Sequence, residues 1–232
     1  MKEEVNFDYQ LTPYKIQGLT KNSGFVEFVE DSKTIREILE KEKSIENYFK
    51  KKCQNNIEKE NQIIRKYMCS CAGYCVITYL LGIGDRHLDN LMVSSEGKMF
   101  HIDFGYILGN DCKLFPSEIK ITEDMIKPFR SKNQRGENNY ILFVQKCVNL
   151  YNYLRNNSQQ FINLLLVFQD SDLSFAQQEF QKRIKELLQK FKLDLTEQEA
   201  AKHFFGVINE SLNAIWPAVN DYFHNLAIKW KS

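Results

Sequence analysis

Glycine and proline, the residues that punctuate a chain, nearly vanish from the second half of this one: past Gly136 only Gly206 and Pro217 remain. With so few breakers, the residues from 140 onward are expected to be helical. Charge of one sign is lacking too. Lys and Arg number 31 against 30 Asp and Glu, a net charge of +1, which argues against a protein that wraps nucleic acid electrostatically. The longest apolar run, Cys71–Ile83, is about 13 residues and is interrupted by Gly73 and Gly82. A membrane span needs about 20 residues. Met1–Gln10 is charged and polar and carries no signal-peptide pattern. The chain is therefore expected to be soluble or at most peripheral to a membrane. Cys53, Cys69, Cys71, Cys75, Cys112 and Cys147 form no C-x-x-C pair and have no histidine at metal-ligand spacing. They read as reduced, buried thiols of a cytosolic protein.

What is present is 232 residues, 43% of them hydrophobic, enough for one sizeable core or two small lobes. Residues 1–30 read as extended, with apolar runs at Leu11–Ile16 and Gly24–Val29 set apart by the turn signal Asn22-Ser23-Gly24. A helix is expected after Ser32, with Ile35, Ile38 and Leu39 on one face, and Ser44 is placed to cap another. Lys50–Gln62 reads as a solvated connection and Ile63–Leu81 as a buried helix ended by Gly82 and Gly84. Gly109–Glu118 is a loop, and a short helix from Ile121 stops at Pro128. Helices follow over Ile141–Leu154 and Gln160–Phe168, from the capping box Ser174–Gln177 to about Phe191, and from the capping box Thr196–Glu199 to about Ala214. Pro217 opens the last helix, about 217–231. The fold class is α+β, mostly helical with a small β-hairpin.

Chemistry concentrates in Gly82-Ile83-Gly84-Asp85-Arg86-His87-Leu88-Asp89-Asn90 and His101-Ile102-Asp103-Phe104-Gly105. Between them, Leu91-Met92-Val93 and Lys98-Met99-Phe100 read as the two strands of a hairpin, which would bring Asn90 and Asp103 to one point. Two oxygen donors there suit Mg²⁺, which shares its shell with nucleotide phosphates. Asp85-Arg86-His87 offers a base whose ring titrates near neutral pH. Catalytic loop, hairpin, then Asp-Phe-Gly is the order of parts in protein kinases, but their His-Arg-Asp is reversed here.

Gly-Asp-Arg-His-x-x-Asn followed by His-Ile-Asp-Phe-Gly resembles the phosphatidylinositol 3-/4-kinase superfamily. Ser70–Tyr79, Asp85–Asn90 and His101–Gly109 resemble its class III phosphatidylinositol 3-kinases, the vacuolar-sorting type, and the likeness continues through Lys192–Thr196 to the last helix. The resemblance implies transfer of the ATP γ-phosphate to the 3-hydroxyl of phosphatidylinositol, giving the 3-phosphate used in endosomal trafficking and autophagy. It implies Mg²⁺ (or Mn²⁺) held by Asn90 and Asp103, and His87 as general base toward the inositol hydroxyl. Asp85 either orients the loop or shares that work, and Arg86 braces it. Glu27, Phe28 and Val29 would be the hinge that binds adenine, with Tyr14 and Val26 lining the pocket and Met92 and Ile102 its floor. The catalytic loop would be 82–91 and the activation loop 103–126, with Phe104, Gly105, Tyr106 and Lys113 toward the lipid headgroup. His101 reads as structural.

Tyr106–Glu118 contains one base, Lys113, against Asp111 and Glu118. So little positive charge cannot neutralise extra headgroup phosphates, which favours unphosphorylated phosphatidylinositol. On the last helix Val219, Phe223, Leu226, Ala227 and Trp230 share a face beside Lys229 and Lys231. That pattern suits either packing or shallow membrane insertion, and the resemblance tips it to membrane contact through Phe223, Leu226 and Trp230. Implied partners are a phosphatidylinositol membrane and the regulatory subunits of a class III complex, a protein-kinase-like scaffold and a Beclin-type subunit, with no nucleic acid. The implied location is cytoplasmic, peripheral on endosomal and autophagic membranes.

One part of the superfamily pattern is not found. No Gly-rich loop precedes Glu27, and Lys2 and Lys15 lie in no matching context for the phosphate-pairing lysine. Residues 1–30 are expected to be the end of an N-lobe with the hinge, and 31–232 the C-lobe. The chain is thus expected to be a fragment, a truncated gene model or a shortened paralogue, with weak or no activity alone. A non-catalytic docking or decoy piece and a phosphatidylinositol 4-kinase are the alternatives.

Overall fold

A computed structural model describes residues 8–20, 23–54, 56–112, 117–130, 136, 138–169 and 177–212. Lys113, the Ser174 capping box and the last helix with Phe223, Leu226 and Trp230 lie outside the described residues.

The elements run β1 (Ile16–Thr20), β2 (Ser23–Val26), β3 (Ser32–Thr34), α1 (Ile35–Glu42), α2 (Ile45–Cys53), α3 (Ile57–Leu81), β4 (Leu91–Ser94), β5 (Met99–His101), α4 (Glu123–Ile126), a 3₁₀ turn (Lys127–Arg130), α5 (Asn139–Asn156), α6 (Ser158–Leu166), α7 (Gln177–Lys190) and α8 (Glu197–Leu212). The fold is mixed α+β and mostly helical, as expected. Its axis is α3. From Tyr67 to Val76 every residue of that helix is buried, because α5, α2, β5 and α7 pack around it. A helix apolar on all sides is a core helix. Aromatic rings continue the core on both flanks. Phe49, Tyr67, Phe129 and Phe143 follow one another at 5.1–5.5 Å, and Phe204 sits 5.1 Å from Tyr79 and 4.7 Å from Tyr151.

The helix caps are legible in the sequence. Thr34 and Glu37 form a reciprocal capping box at α1, and the Ser44 hydroxyl accepts the Asn47 amide at α2. Three segments differ from expectation. The polar stretch Lys50–Gln62 is helical rather than a connection: α2 continues to Cys53, and α3 starts at Ile57 under an Asn56 cap. Solvated helical turns have the composition of a loop, so polarity alone misreads them. The first hairpin pairs Ile16–Thr20 with Ser23–Val26, so Leu11–Lys15 is extended but unpaired in the sheet. Its base is closed by Glu27 N–H donating to Lys15 O at 2.8 Å. Third, Ser32–Thr34 forms an edge strand on β4, giving the order β3-β4-β5 where two strands were expected.

The β4–β5 hairpin is tied directly to the core helix. Ser70, fully buried in α3, accepts the Met99 amide at 2.8 Å while donating to Lys66 and Tyr67 carbonyls. That hydroxyl sets the height of the hairpin, and so of the residues at its open end.

Candidate active site

Both ends of the hairpin open onto the site. Ile102 N–H donates to Asn90 O at 3.1 Å, one rung past the last strand pair, Leu91 with His101. Asn90 therefore faces Ile102, and Asp103 is the next residue. The expected meeting of Asn90 and Asp103 is what the pairing builds. Asn90 is buried, and its Nδ2 donates to Asp85 O at 2.9 Å, while among the described residues no donor reaches its Oδ1. Asp103 takes a left-handed φ of 58°, and its Oδ1 accepts the Gly105 amide at 3.1 Å.

The expected catalytic loop leaves α3 through a left-handed Gly82, φ 54°. From there it runs against residues 106–109: Leu108 N–H reaches Leu81 O, Gly109 N–H reaches Gly82 O, and Gly84 N–H reaches Tyr106 O, at 2.8, 3.0 and 2.9 Å. The approach is close enough that a Cβ on Gly84 would lie 2.5 Å from both Asn110 O and Asp111 Oδ2. Two glycines here are a packing requirement. Asp85, φ 52°, receives the Asp111 carboxylate on its amide at 3.0 Å. A non-glycine residue in this region is sparsely populated and tends to persist at functional sites.

Arg86 occupies the interior of the loop. Its guanidinium donates to Gly84 O and Ile102 O, each at 2.7 Å, and to Asp103 O, and lies 5.6 Å from the Phe104 ring. One side chain therefore ties the catalytic loop to the strand exit that carries Asp103. Burial lowers its pKa, partly offset by Asp103 and Asp85. His87 is half-exposed, with Nε2 3.9 Å from Asp85 Oδ2 and Nδ1 accepting the Asp89 amide at 3.2 Å. The Asp89 carboxylate is held by Arg36 Nε at 2.8 and 2.7 Å. His101 is different: it is buried, stacked 4.6 Å from Tyr74 and 3.4 Å from the Thr78 hydroxyl. Burial, then Arg86, pushes its pKa down to about 3, so it stays neutral, as befits a packing residue.

A cavity of about 660 Å³ lies in front of the hairpin, lined by Tyr14, Ile16, Val26, Glu27, Phe28, Val29, Ser32, Met92, Phe100, Ile102, Asp103 and Phe104. All seven residues expected to hold the nucleotide base are on its wall. Asp103 is among its lining residues, so one of the two expected oxygen donors borders the apolar cleft. Gly105 and Tyr106 continue from Asp103 along the catalytic loop. Sequence reasoning assigned no role to Arg36, Asp89, Asp111 or Cys112, all of which touch the loop. Asp89 lay inside the quoted motif, whereas nothing local marks Arg36.

A loop with Asp85 and His87, a hairpin presenting Asn90 and Asp103, and an apolar cleft between Val26–Val29 and that hairpin are the parts of a kinase-type site. The family model for phosphatidylinositol 3- and 4-kinase matches residues 1–178. The chain belongs to that family. It is similar to the phosphatidylinositol 3-kinase VPS34 of Candida glabrata, 39% identical over 98% of this chain and 25% of the relative. Similarity to the same-named proteins of Saccharomyces cerevisiae and Arabidopsis thaliana is 38% and 36%, over 98% and 97% of this chain and 26% and 28% of theirs. The chain thus spans about a quarter of the length of these relatives, and the vacuolar-sorting likeness read from its motifs agrees with them.

Proposed function

We propose that this chain carries the catalytic centre of a phosphatidylinositol 3-kinase, transferring the γ-phosphate of ATP to the 3-hydroxyl of phosphatidylinositol. The observation that supports it best is the continuity of the site: the cleft lined by Tyr14, Val26, Val29, Met92 and Ile102 ends at Asp103. Its volume of about 660 Å³ lies within the roughly 300–1,000 Å³ of small-molecule sites, and its wall is apolar enough for a purine. The chain's residues also fit a hard divalent cation. Asn90 Oδ1 and the Asp103 carboxylate are oxygen donors, and among the described residues no cluster of three His, Cys, Asp or Glu offers a competing site. A bound Mg²⁺ would neutralise charge on the phosphate oxygens during transfer.

In this reading the backbone of Glu27–Val29 holds the adenine edge, while Tyr14, Met92 and Ile102 sandwich the ring and keep water out. Asn90 and Asp103 hold the cation. Arg86 keeps the two loops in register by its three carbonyl contacts. His87 and Asp85 take the proton from the inositol hydroxyl. Phe104, Gly105, Tyr106 and Lys113 serve the headgroup, whose lack of added phosphates suits a segment so poor in positive charge. No described helix is long and apolar enough to cross a membrane. In this reading the lipid is met at the surface of the bilayer, with Phe223, Leu226 and Trp230 as interfacial contacts. Regulatory subunits of a class III assembly are the partners this reading carries.

The test is transfer of labelled phosphate to phosphatidylinositol vesicles by the protein at its natural length, with headgroup chromatography of the product. A 3-phosphate lost in Asp103→Ala is expected. A normal rate in that variant would overturn the cation assignment, and a 4-phosphate product would overturn the class.

A further inference from the structure

The segment between Asp103 and Ile126 is held at both of its described shoulders by helices that follow it in the chain. At the first shoulder, Arg183 Nη1 of α7 donates to Leu108 O at 2.9 Å, with the guanidinium steadied by Glu179 Oε1 at 2.7 Å. Leu108 is a left-handed residue, φ 54°, whose amide is already bonded to Leu81 O. Its carbonyl is thereby turned toward α7. At the second shoulder, Lys190 Nζ lies 3.7 Å from Glu118 Oε1. The same ammonium donates to Tyr79 O at 2.9 Å and sits 5.0 Å from the Tyr79 ring. The Lys190 carbonyl is itself held by the Tyr151 and Tyr79 hydroxyls, at 2.7 and 3.3 Å. A third tie comes from α8: the Ser211 hydroxyl accepts Ile121 N–H at 3.2 Å and lies 3.1 Å from Ile119 O.

Arg183 and Lys190 are seven positions apart and so share one face of α7. Their two targets, Leu108 and Glu118, both lie within the 103–126 segment expected to read the headgroup. Neither cation reaches Asn90, Asp103 or the cleft, so neither is a catalytic residue. Buried or half-buried cations bonded to main chain across an element are costly to misplace, and they fix position more than they add net stability.

We propose that Arg183 and Lys190 are positioning residues: α7 acts as a two-point clamp, with Ser211 as a third tie, that sets where the headgroup segment stands relative to the catalytic loop. The segment's use for lipid rests on the functional reading above, but the clamp itself does not. Loosening it changes how well a lipid headgroup is bound and leaves the adenine cleft alone, because no clamp residue lines that cleft.

Hydrogen–deuterium exchange on this 232-residue chain tests the clamp. Arg183→Ala is expected to speed exchange of the amides of 106–110 roughly ten-fold, as loss of one hydrogen bond to a charged group allows. Lys190→Met, Glu118→Gln and Ser211→Ala are expected to do the same for 117–122, and Lys190→Arg to restore it. Glu118→Gln matters because it breaks the pair without touching Lys190's bond to Tyr79. Exchange in α5 stays unchanged. In the natural-length protein the same variants raise the KM for phosphatidylinositol vesicles roughly ten-fold and leave the KM for ATP alone. Unchanged exchange at both shoulders, or equal acceleration in α5, would overturn the clamp. A parent protein with no lipid phosphorylation would instead sink the functional reading, and the exchange result would still decide the clamp.

Discussion

Asp89 offers both of its polar ends to one atom of His87: its backbone N–H lies 3.2 Å from Nδ1, and its carboxylate Oδ2 lies 3.4 Å from the same nitrogen. A ring nitrogen cannot accept the first and donate to the second at once. The carboxylate is already gripped by Arg36, at 2.8 and 2.7 Å, so the amide is the contact that stands. A neutral ring with Nδ1 accepting carries its proton on Nε2, the atom 3.9 Å from Asp85 Oδ2. The free lone pairs beside it then belong to Asp85.

In the proposed reading, Asp85 and His87 handle the proton as one unit. Asp85→Asn and His87→Ala are each expected to lower kcat for lipid on the order of a hundred-fold. The double variant should lose less than about a further ten-fold, since groups that work together are not additive. Losses that multiply would separate the two residues and return the base role to one of them. The ring ¹⁵N shifts of His87 read the tautomer directly, and a proton on Nδ1 would contradict the arrangement described.

Arg86 predicts a second, structural sensitivity. Arg86→Lys keeps the charge but has one ammonium in place of a planar fork, so it cannot serve Gly84 O, Ile102 O and Asp103 O together. Leaving the buried Gly84 carbonyl and two part-buried carbonyls unpaired is expected to cost about 2–4 kcal/mol in urea unfolding and to slow transfer more than it slows ATP binding. A Lys variant within about 1 kcal/mol of the parent would show that the fork is not what joins the two loops.

How far the site was legible depends on how local each part is. Asp85, His87 and Asn90 lie in one short stretch, and two short apolar runs announce the hairpin that carries Asn90 to Asp103. Resemblance to a known family, rather than any periodicity, singled out Tyr14, Val26 and Met92, which do line one cleft. Contacts made across the fold left no such trace. Arg36 reaches Asp89 from 53 residues away, and Ser211 reaches Ile121 from 90. The strand Ser32–Thr34 has no apolar residue to mark it, because it pairs through backbone at the sheet edge. The early turns of α3 were misread for the opposite reason, polar residues being as much at home on a wet helix as in a loop.

The same substitution should act with opposite sign at two glycines. A Cβ on Gly84 meets Asn110 O and Asp111 Oδ2, each at 2.5 Å, and moving Asp111 also uncaps the Asp85 amide. Gly84→Ala is expected to destabilise the chain by about 1–3 kcal/mol. Gly206 lies within α8 and an added Cβ finds nothing within 4 Å, so Gly206→Ala should stabilise by up to about 1 kcal/mol. Urea unfolding midpoints of the two variants against the parent check both. Matching signs would mean the close approach at Gly84 is relieved at no cost.

Thiol chemistry offers a reporter on the catalytic loop. Cys53, Cys69, Cys71, Cys75 and Cys147 are buried, and burial holds the Cys71 and Cys75 thiols far above the ordinary range, so none of these five should react in the native chain. Cys112 is exposed, with Sγ 3.4 Å from Asp85 Oδ1 and 3.5 Å from Asp111 Oδ1. Partial desolvation, then these carboxylates, raises its pKa, so little of it is thiolate at neutral pH. Alkylation by iodoacetamide is therefore expected to be slow at pH 7 and to quicken as the pH rises past the ordinary thiol value. It should stop at one adduct per chain, mapped to Cys112 by peptide mass. A group added at Sγ displaces the Asp85 carboxylate, so lipid phosphorylation by the natural-length protein should fall in step with labelling, and Cys112→Ser should be immune. Labelling that leaves the rate untouched would mean that Asp85 does not need its present position, and the shared proton-handling role would fall with it.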